Sequence, residues 1–222
     1  MPLNTNLNTN TNRSMKLLKV IGKATVSTEP DIVTVSFRVK SQSKDYGLCL
    51  DGLNQQVNDL RGIILQAGLS DTQLKTTDFK VEVETEYKNN KRCFVGYVAK
   101  HYMRIELAMD KSLLNTLLNL VAKKHAGVEV SLDFSVKDQD ALRRQVLDKA
   151  VQFAKENARV LAKSAGVALG SLVQIDYGWT EVRIQTQDVS MCCESVSEVL
   201  HADIQPEDVE ANDTVTLVYE IA

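Results

Sequence analysis

Cys192, Cys193 and His201, with Glu194 and Glu198 beside them, form the densest group of ligand-type side chains in this chain. Thiolates and an imidazole are donors that a soft metal such as zinc accepts, in tetrahedral sets of four. The fourth donor is undefined here, and adjacent cysteines rarely bridge each other. The other two cysteines, Cys49 and Cys93, complete neither a zinc ribbon nor a Cys-x-x-Cys redox pair. Free thiols in a reducing compartment are what this pattern predicts. His101, His125 and His201 lie far apart, and none stands four residues from another histidine or a cysteine. His101 falls in the inward register of a strand, the place of a hydrogen-bonded core histidine. Glu82, Glu84 and Glu86 repeat every second residue, about 7 Å apart on one strand face. Such a row can hold cations, but a solvated strand face is the simpler reading. A nucleophile needs Cys or Ser beside a histidine steered by a third group, and nothing in the spacing supplies one. The run GVALG leads into a strand, where a phosphate cradle leads into a helix. No catalytic residue and no cofactor follow from these patterns, so the chain reads as a non-enzyme. The rival reading is a small-molecule or metal-responsive binding protein with a pocket near the acidic segment, Cys192, Cys193 and His201 being the metal candidates.

Such residues need elements to hold them, and 222 residues at 44% hydrophobic composition suffice for a substantial core. No window approaches the roughly 18 apolar residues of a transmembrane helix. Residues 1–16 read as a disordered Asn/Thr-rich leader without an apolar signal-peptide stretch, so the sequence points to the cytoplasm, with a periplasmic or secreted location as the alternative. Residues 180–213 carry nine acids against Arg183 alone, a net −8, which leaves +5 on the remainder. Scattered basic residues without aromatic partners argue against nucleic acid, and the acidic segment reads as a solvated excursion from one domain spanning 17–222.

The strongest helical pattern runs over 138–166. Val146, Ala150, Ala154, Ala158 and Ala162 recur every four residues, so one broad face is apolar and small. A backbone can come close to such a face. Asp138 can cap its start, and Gly166 suits the left-handed residue past its end. Two further helices are predicted, over 44–67, closed by Gly68, and from Asp110 to near Gly127.

Strands alternate with these helices. Val20, Gly22, Ala24 and Val26 alternate with polar residues, a Thr-Glu-Pro-Asp turn follows, and Val33, Val35, Phe37 and Val39 make a second run, so the two read as a hairpin. Two long strands, 79–87 and 93–109, flank the polar turn KNNKR. Gly96-Tyr97 marks a bulge or a close backbone approach within the second, a packing feature that can also shape an intersubunit surface. A strand over 128–136 completes a β-α-β-β-α-β order, the ferredoxin-like split unit. Strands near 173–179 and 215–221 finish the chain, the last expected to pair back into the sheet. The fold class is therefore α+β: a two-layer fold, largely antiparallel, with a ferredoxin-like core, a leading strand, a long Ala-rich helix and C-terminal strands.

An ordered series of these pieces resembles the SIMPL-domain family, named for a signalling protein that associates with a pelle-like kinase. The series is Gly22, Pro30-Asp31, Leu74-Lys75-Thr76, Tyr87, Gly96-Tyr97-Val98-Ala99, Leu161-Ala162, Gly166, Leu169-Gly170-Ser171-Leu172 and Ile204-Gln205-Pro206. The resemblance implies a two-layer α/β fold, a tendency to form higher oligomers, and no catalytic motif. It also implies bacterial relatives that are often exported, stress-linked or antigenic, beside an intracellular animal adaptor. The expected function is thus an oligomeric interaction or assembly protein with a homo-oligomeric or other protein partner.

Overall fold

The computed structural model describes residues 16–88, 91–124, 128–178, 183–185, 188–192 and 204–222. Of 183–185 and 188–192 it describes the backbone alone. The elements in chain order are β1 (Leu17–Thr28), β2 (Ile32–Ser43), α1 (Tyr46–Gln66), β3 (Lys75–Lys88), β4 (Lys91–Ala108), α2 (Lys111–Lys124), β5 (Glu129–Ser135), α3 (Gln139–Ser164), β6 (Leu169–Asp176), β7 (Arg183–Gln185), β8 (Asp188–Cys192) and β9 (Val209–Ile221). They fall into two compact units. One comprises Met1–Val26, Gln139–Ile184 and Ala211–Ala222, the other Ser27–Asp138 and Gln185–Glu210.

The second unit holds a five-stranded sheet in the order β3-β4-β2-β5-β8. Its first four strands are antiparallel and carry the ferredoxin-like order. Alternation fixes which face is greasy. Val33, Val35, Phe37 and Val39 of β2 are buried with Leu53, Leu60 and Ile64 of α1 and Leu114, Leu117 and Val121 of α2 in one apolar cluster. Each such side chain, fully buried, contributes about 1.5–3 kcal/mol. Side-chain oxygens start both helices: Asp45 accepts from Leu48 N at 2.9 Å, and Asp110 accepts from Ser112 N and Leu113 N. Gly68, at φ +83°, ends α1, with Leu69 N donating to Ile64 O and Gly68 N to Leu65 O.

The first unit holds a sheet in the order β1-β9-β6, with β7 also on β9. Its inward residues on β1 are Val20, Gly22, Ala24 and Val26. On α3, Val146, Ala150, Ala154, Ala158 and Ala162 are all buried. A Cβ built on Gly22 would lie 2.0 Å from Ala150 O and 2.7 Å from Ala154 Cβ. Helix and strand backbones therefore touch where both side chains are smallest. Asn157 Nδ2 donates to Ile21 O at 3.1 Å and pins the register. Gly166, at φ +71°, closes α3, with Val167 N bonded to Ala162 O and Gly166 N to Lys163 O.

Three features differ from the sequence reading. β1 and β2 do not form a hairpin: β1 pairs β9, while β2 lies between β4 and β5. The reason is Asp31, whose N–H donates to Ser135 O, whose carbonyl accepts from Met109 N, and whose carboxylate accepts from Lys137 N at 2.7 Å. That turn is tied to the ends of β4 and β5, so it redirects the chain instead of folding it back. β9 likewise joins β1 and β6 and not the five-stranded sheet. The acidic segment is not wholly a loop: β8 pairs antiparallel with β5, from Glu129 opposite Cys192 to Asp133 opposite Asp188.

Candidate interaction surface

The ladder between β2 and β4 ends at Ser43 opposite Tyr97, whereas that between β3 and β4 continues to Lys88 opposite Lys91. Five or six residues of each strand thus run on as a two-stranded ribbon, about 20 Å at the usual rise. The register jumps between Glu84–Gly96 and Thr85–Phe94, so Val95 is the extra residue of a bulge. Gly96 sits beside it because β2 leaves no room there, a Cβ at Gly96 lying 2.7 Å from Ser43 O.

Two faces leave the sheet along this ribbon. The outer one is polar, and each acid of the glutamate row has its own neighbour. Lys100 Nζ lies 2.6 Å from Glu82, Gln42 Nε2 donates to Glu84, and Lys88 lies 2.9 Å from Glu86. The Lys100 ammonium, by hydrogen bond and by charge, holds the Glu82 carboxyl below its ordinary range. These are exposed pairs of small energetic weight.

The other face continues the apolar side of the sheet. Tyr97 packs at the margin of the core cluster, with the Tyr46 ring edge-on at 5.4 Å and the Phe94 ring at 5.3 Å. Tyr46 is the first residue of α1, so the helical roof stops there. Beyond it, Val83, Tyr87 and Phe94 share the face of Tyr97 and are 55%, 75% and 54% exposed. β3 is also a terminal strand of its sheet, so among the described residues no strand lies beside its outer main-chain groups there. An unroofed aromatic strip on a free-edged ribbon is chemically a binding face for apolar surface and for main chain.

Ala150, Ala154, Ala158 and Ala162 are buried on α3, and Gly166 closes that helix. Cys192 is placed by its backbone only, and Cys193, His201 and His125 lie outside the described residues. Among the described residues no three His, Cys, Asp or Glu side chains gather as metal ligands. His101 Nε2 is 2.8 Å from Thr76 Oγ1, with the Phe79 ring edge-on at 5.5 Å. Burial, helped by the Arg61 charge, lowers the His101 pKa from its ordinary 6.5. Cys49 is fully buried, with its Sγ 3.4 Å from the carbonyls of Ser41 and Tyr97. Sequence reasoning marked Gly96-Tyr97 as able to shape an intersubunit surface but missed the strip that Tyr87 and Tyr97 form with Phe94. The available signal was length: the apolar run of β4 is much longer than that of β2.

The SIMPL family, described as proteins of unknown function (DUF541), matches residues 18–219. The chain is 27% identical to the uncharacterised protein YggE of Edwardsiella ictaluri, over 70% of this chain and 65% of that protein. It is 23% identical to YggE of Escherichia coli K12, over 70% and 63%. It is 24% identical to the 26 kDa periplasmic immunogenic protein of Brucella melitensis, over 71% and 65%. The matched region thus covers less than two thirds of each relative. Among the described residues no helix is long and apolar enough to cross a membrane.

Proposed function

We propose that this chain, which belongs to the SIMPL family, is a non-catalytic assembly protein whose ribbon strip is covered by a second copy of the same chain. The observation that carries the reading is the strip itself: Val83, Tyr87 and Phe94 stand in water on the side of the sheet that is otherwise core. An isolated two-stranded ribbon is marginal in water. Aromatic side chains bury about 150–250 Å² each and dominate interface energetics. Packing the strip against a neighbour removes that cost and uses the free edge of β3. A stress-related or envelope-related role is part of the proposal and rests on the family resemblance. The Brucella relative is by name periplasmic, and fractionating cells that express the intact gene separates that address from the cytoplasmic one the sequence points to.

The direct test is the double variant Tyr87→Ser/Phe94→Ser beside the wild type in sedimentation velocity. The wild type should show species larger than the 24.7 kDa chain that grow with concentration, and the variant a single chain with the wild type's far-ultraviolet circular dichroism. Identical sedimentation of the two proteins would defeat the proposal.

A further inference from the structure

We infer that the flank of α3 next to β1 is a binding site for a phosphate ester carried on a short apolar group. A groove of about 670 Å³ opens there, between Thr25 of β1 and the α3 residues Lys149, Phe153, Lys155 and Arg159. That volume lies in the usual range for small-molecule sites, about 300–1,000 Å³. Three cations line it, and the one carboxylate among the lining residues is Glu156. The balance is +2, the magnitude of a phosphate monoester's charge near neutrality.

The state of each charge sharpens the reading. Lys149 and Lys155 make no ion pair with a described residue, and Glu156 reaches Arg159 only at 3.6 Å between exposed groups. The guanidinium therefore keeps most of its five donors for a ligand. Asp148, the next acid along the helix, is occupied by Gln152 Nε2 at 2.8 Å. Thr25 of β1 lines the other wall. Phe153 is 54% exposed although the helix beneath it is packed, so its ring lies where the ligand's apolar part would rest.

Cations without an apolar wall would fit inorganic phosphate, and a phenyl ring alone would fit an alcohol. The groove joins both, and the preferred ligand should do the same. It can reach the site from a membrane as a lipid headgroup or from solution as a free ester.

The test is a backbone-amide NMR titration of the full chain at low salt with hexyl phosphate, inorganic phosphate and hexanol. Hexyl phosphate should shift the amides of residues 149–159 at submillimolar concentration and bind at least about tenfold more tightly than either fragment. Lys149→Gln/Lys155→Gln should weaken it about tenfold, as expected for lost charge-assisted hydrogen bonds. Phe153→Ala should shrink its advantage over inorganic phosphate, and Lys163→Gln, one turn beyond the groove, should change nothing. A parallel sedimentation assay with vesicles containing phosphatidic acid, a lipid whose headgroup is a phosphate monoester, identifies the source. Binding to them that the double lysine variant abolishes assigns the ester to a membrane, and no vesicle binding beside intact hexyl phosphate binding assigns it to solution. Absence of shifts at millimolar hexyl phosphate, or equal affinity in the double lysine variant, would overturn the inference.

Discussion

Adding one methyl group at Gly22 should unseat α3. The new Cβ would lie 2.0 Å from Ala150 O, 2.6 Å from Ala154 N and 2.7 Å from Ala154 Cβ. Favourable contacts between heavy atoms lie near 3.5–4.0 Å, so the helix must retreat from the strand by more than about 1 Å. None of the three atoms can rotate aside, because two are backbone and the third is a Cβ. A gap of that size forfeits a quarter to a half of each affected contact, and the ridge from Val146 to Ala162 is buried along its whole length. Overpacking ordinarily costs about 1–3 kcal/mol, and a clash with rigid backbone belongs at about 3. In a chain of this size each kcal/mol moves the midpoint by about 2–4 °C, so Gly22→Ala should melt about 6–12 °C lower by calorimetry. Gly62→Ala is the matched control. Gly62 sits within α1 with nothing within 4 Å of the added methyl, and removing a helical glycine gains up to about 1 kcal/mol. The same chemical change should thus act with opposite sign at the two positions. A Gly22→Ala protein melting within about a degree of the wild type would refute the close approach of α3 to β1.

Ala158→Leu should cost about 1–3 kcal/mol in a denaturant titration, because Ala158 is fully buried, whereas Lys155→Leu on the exposed side should shift the midpoint little. Asp31→Ala should lose about 1 kcal/mol, since Lys137 N then loses its acceptor. The His101 pKa is lowered in the fold, so below its ordinary 6.5 the unfolded chain takes up a proton that the folded chain does not, and stability falls as pH drops through that value. His101→Gln should flatten this part of a melting-temperature-against-pH curve.

The helices were legible because their signals are local. Asp110 lies beside the turn it caps, Gly68 and Gly166 mark the left-handed ends, and the four-residue alanine step records the face turned to β1, whereas the cap at Asp45 fell inside the span read as helix. The ferredoxin-like order was legible for a related reason, since alternation in β2 through β5 leaves few ways to bury their greasy faces. Partners of strands were not. Val20 to Val26 alternate as well as any strand, but nothing within them says that β9 is their neighbour, and the turn before β2 resembles a hairpin until Asp31 is seen bound to Ser135 and Lys137. β8 was hidden because its pairing with β5 is a long-range event in an acid-rich stretch. The aromatic strip was half visible: the register of Tyr87 and Tyr97 could be read, but exposure depends on where α1 starts over the sheet.

Whether a second copy covers that strip is decided most directly by light-scattering mass across a dilution series of the unaltered protein. The account predicts a mass several times that of one chain at high concentration, falling as the protein is diluted. A mass of one chain at every concentration would contradict it.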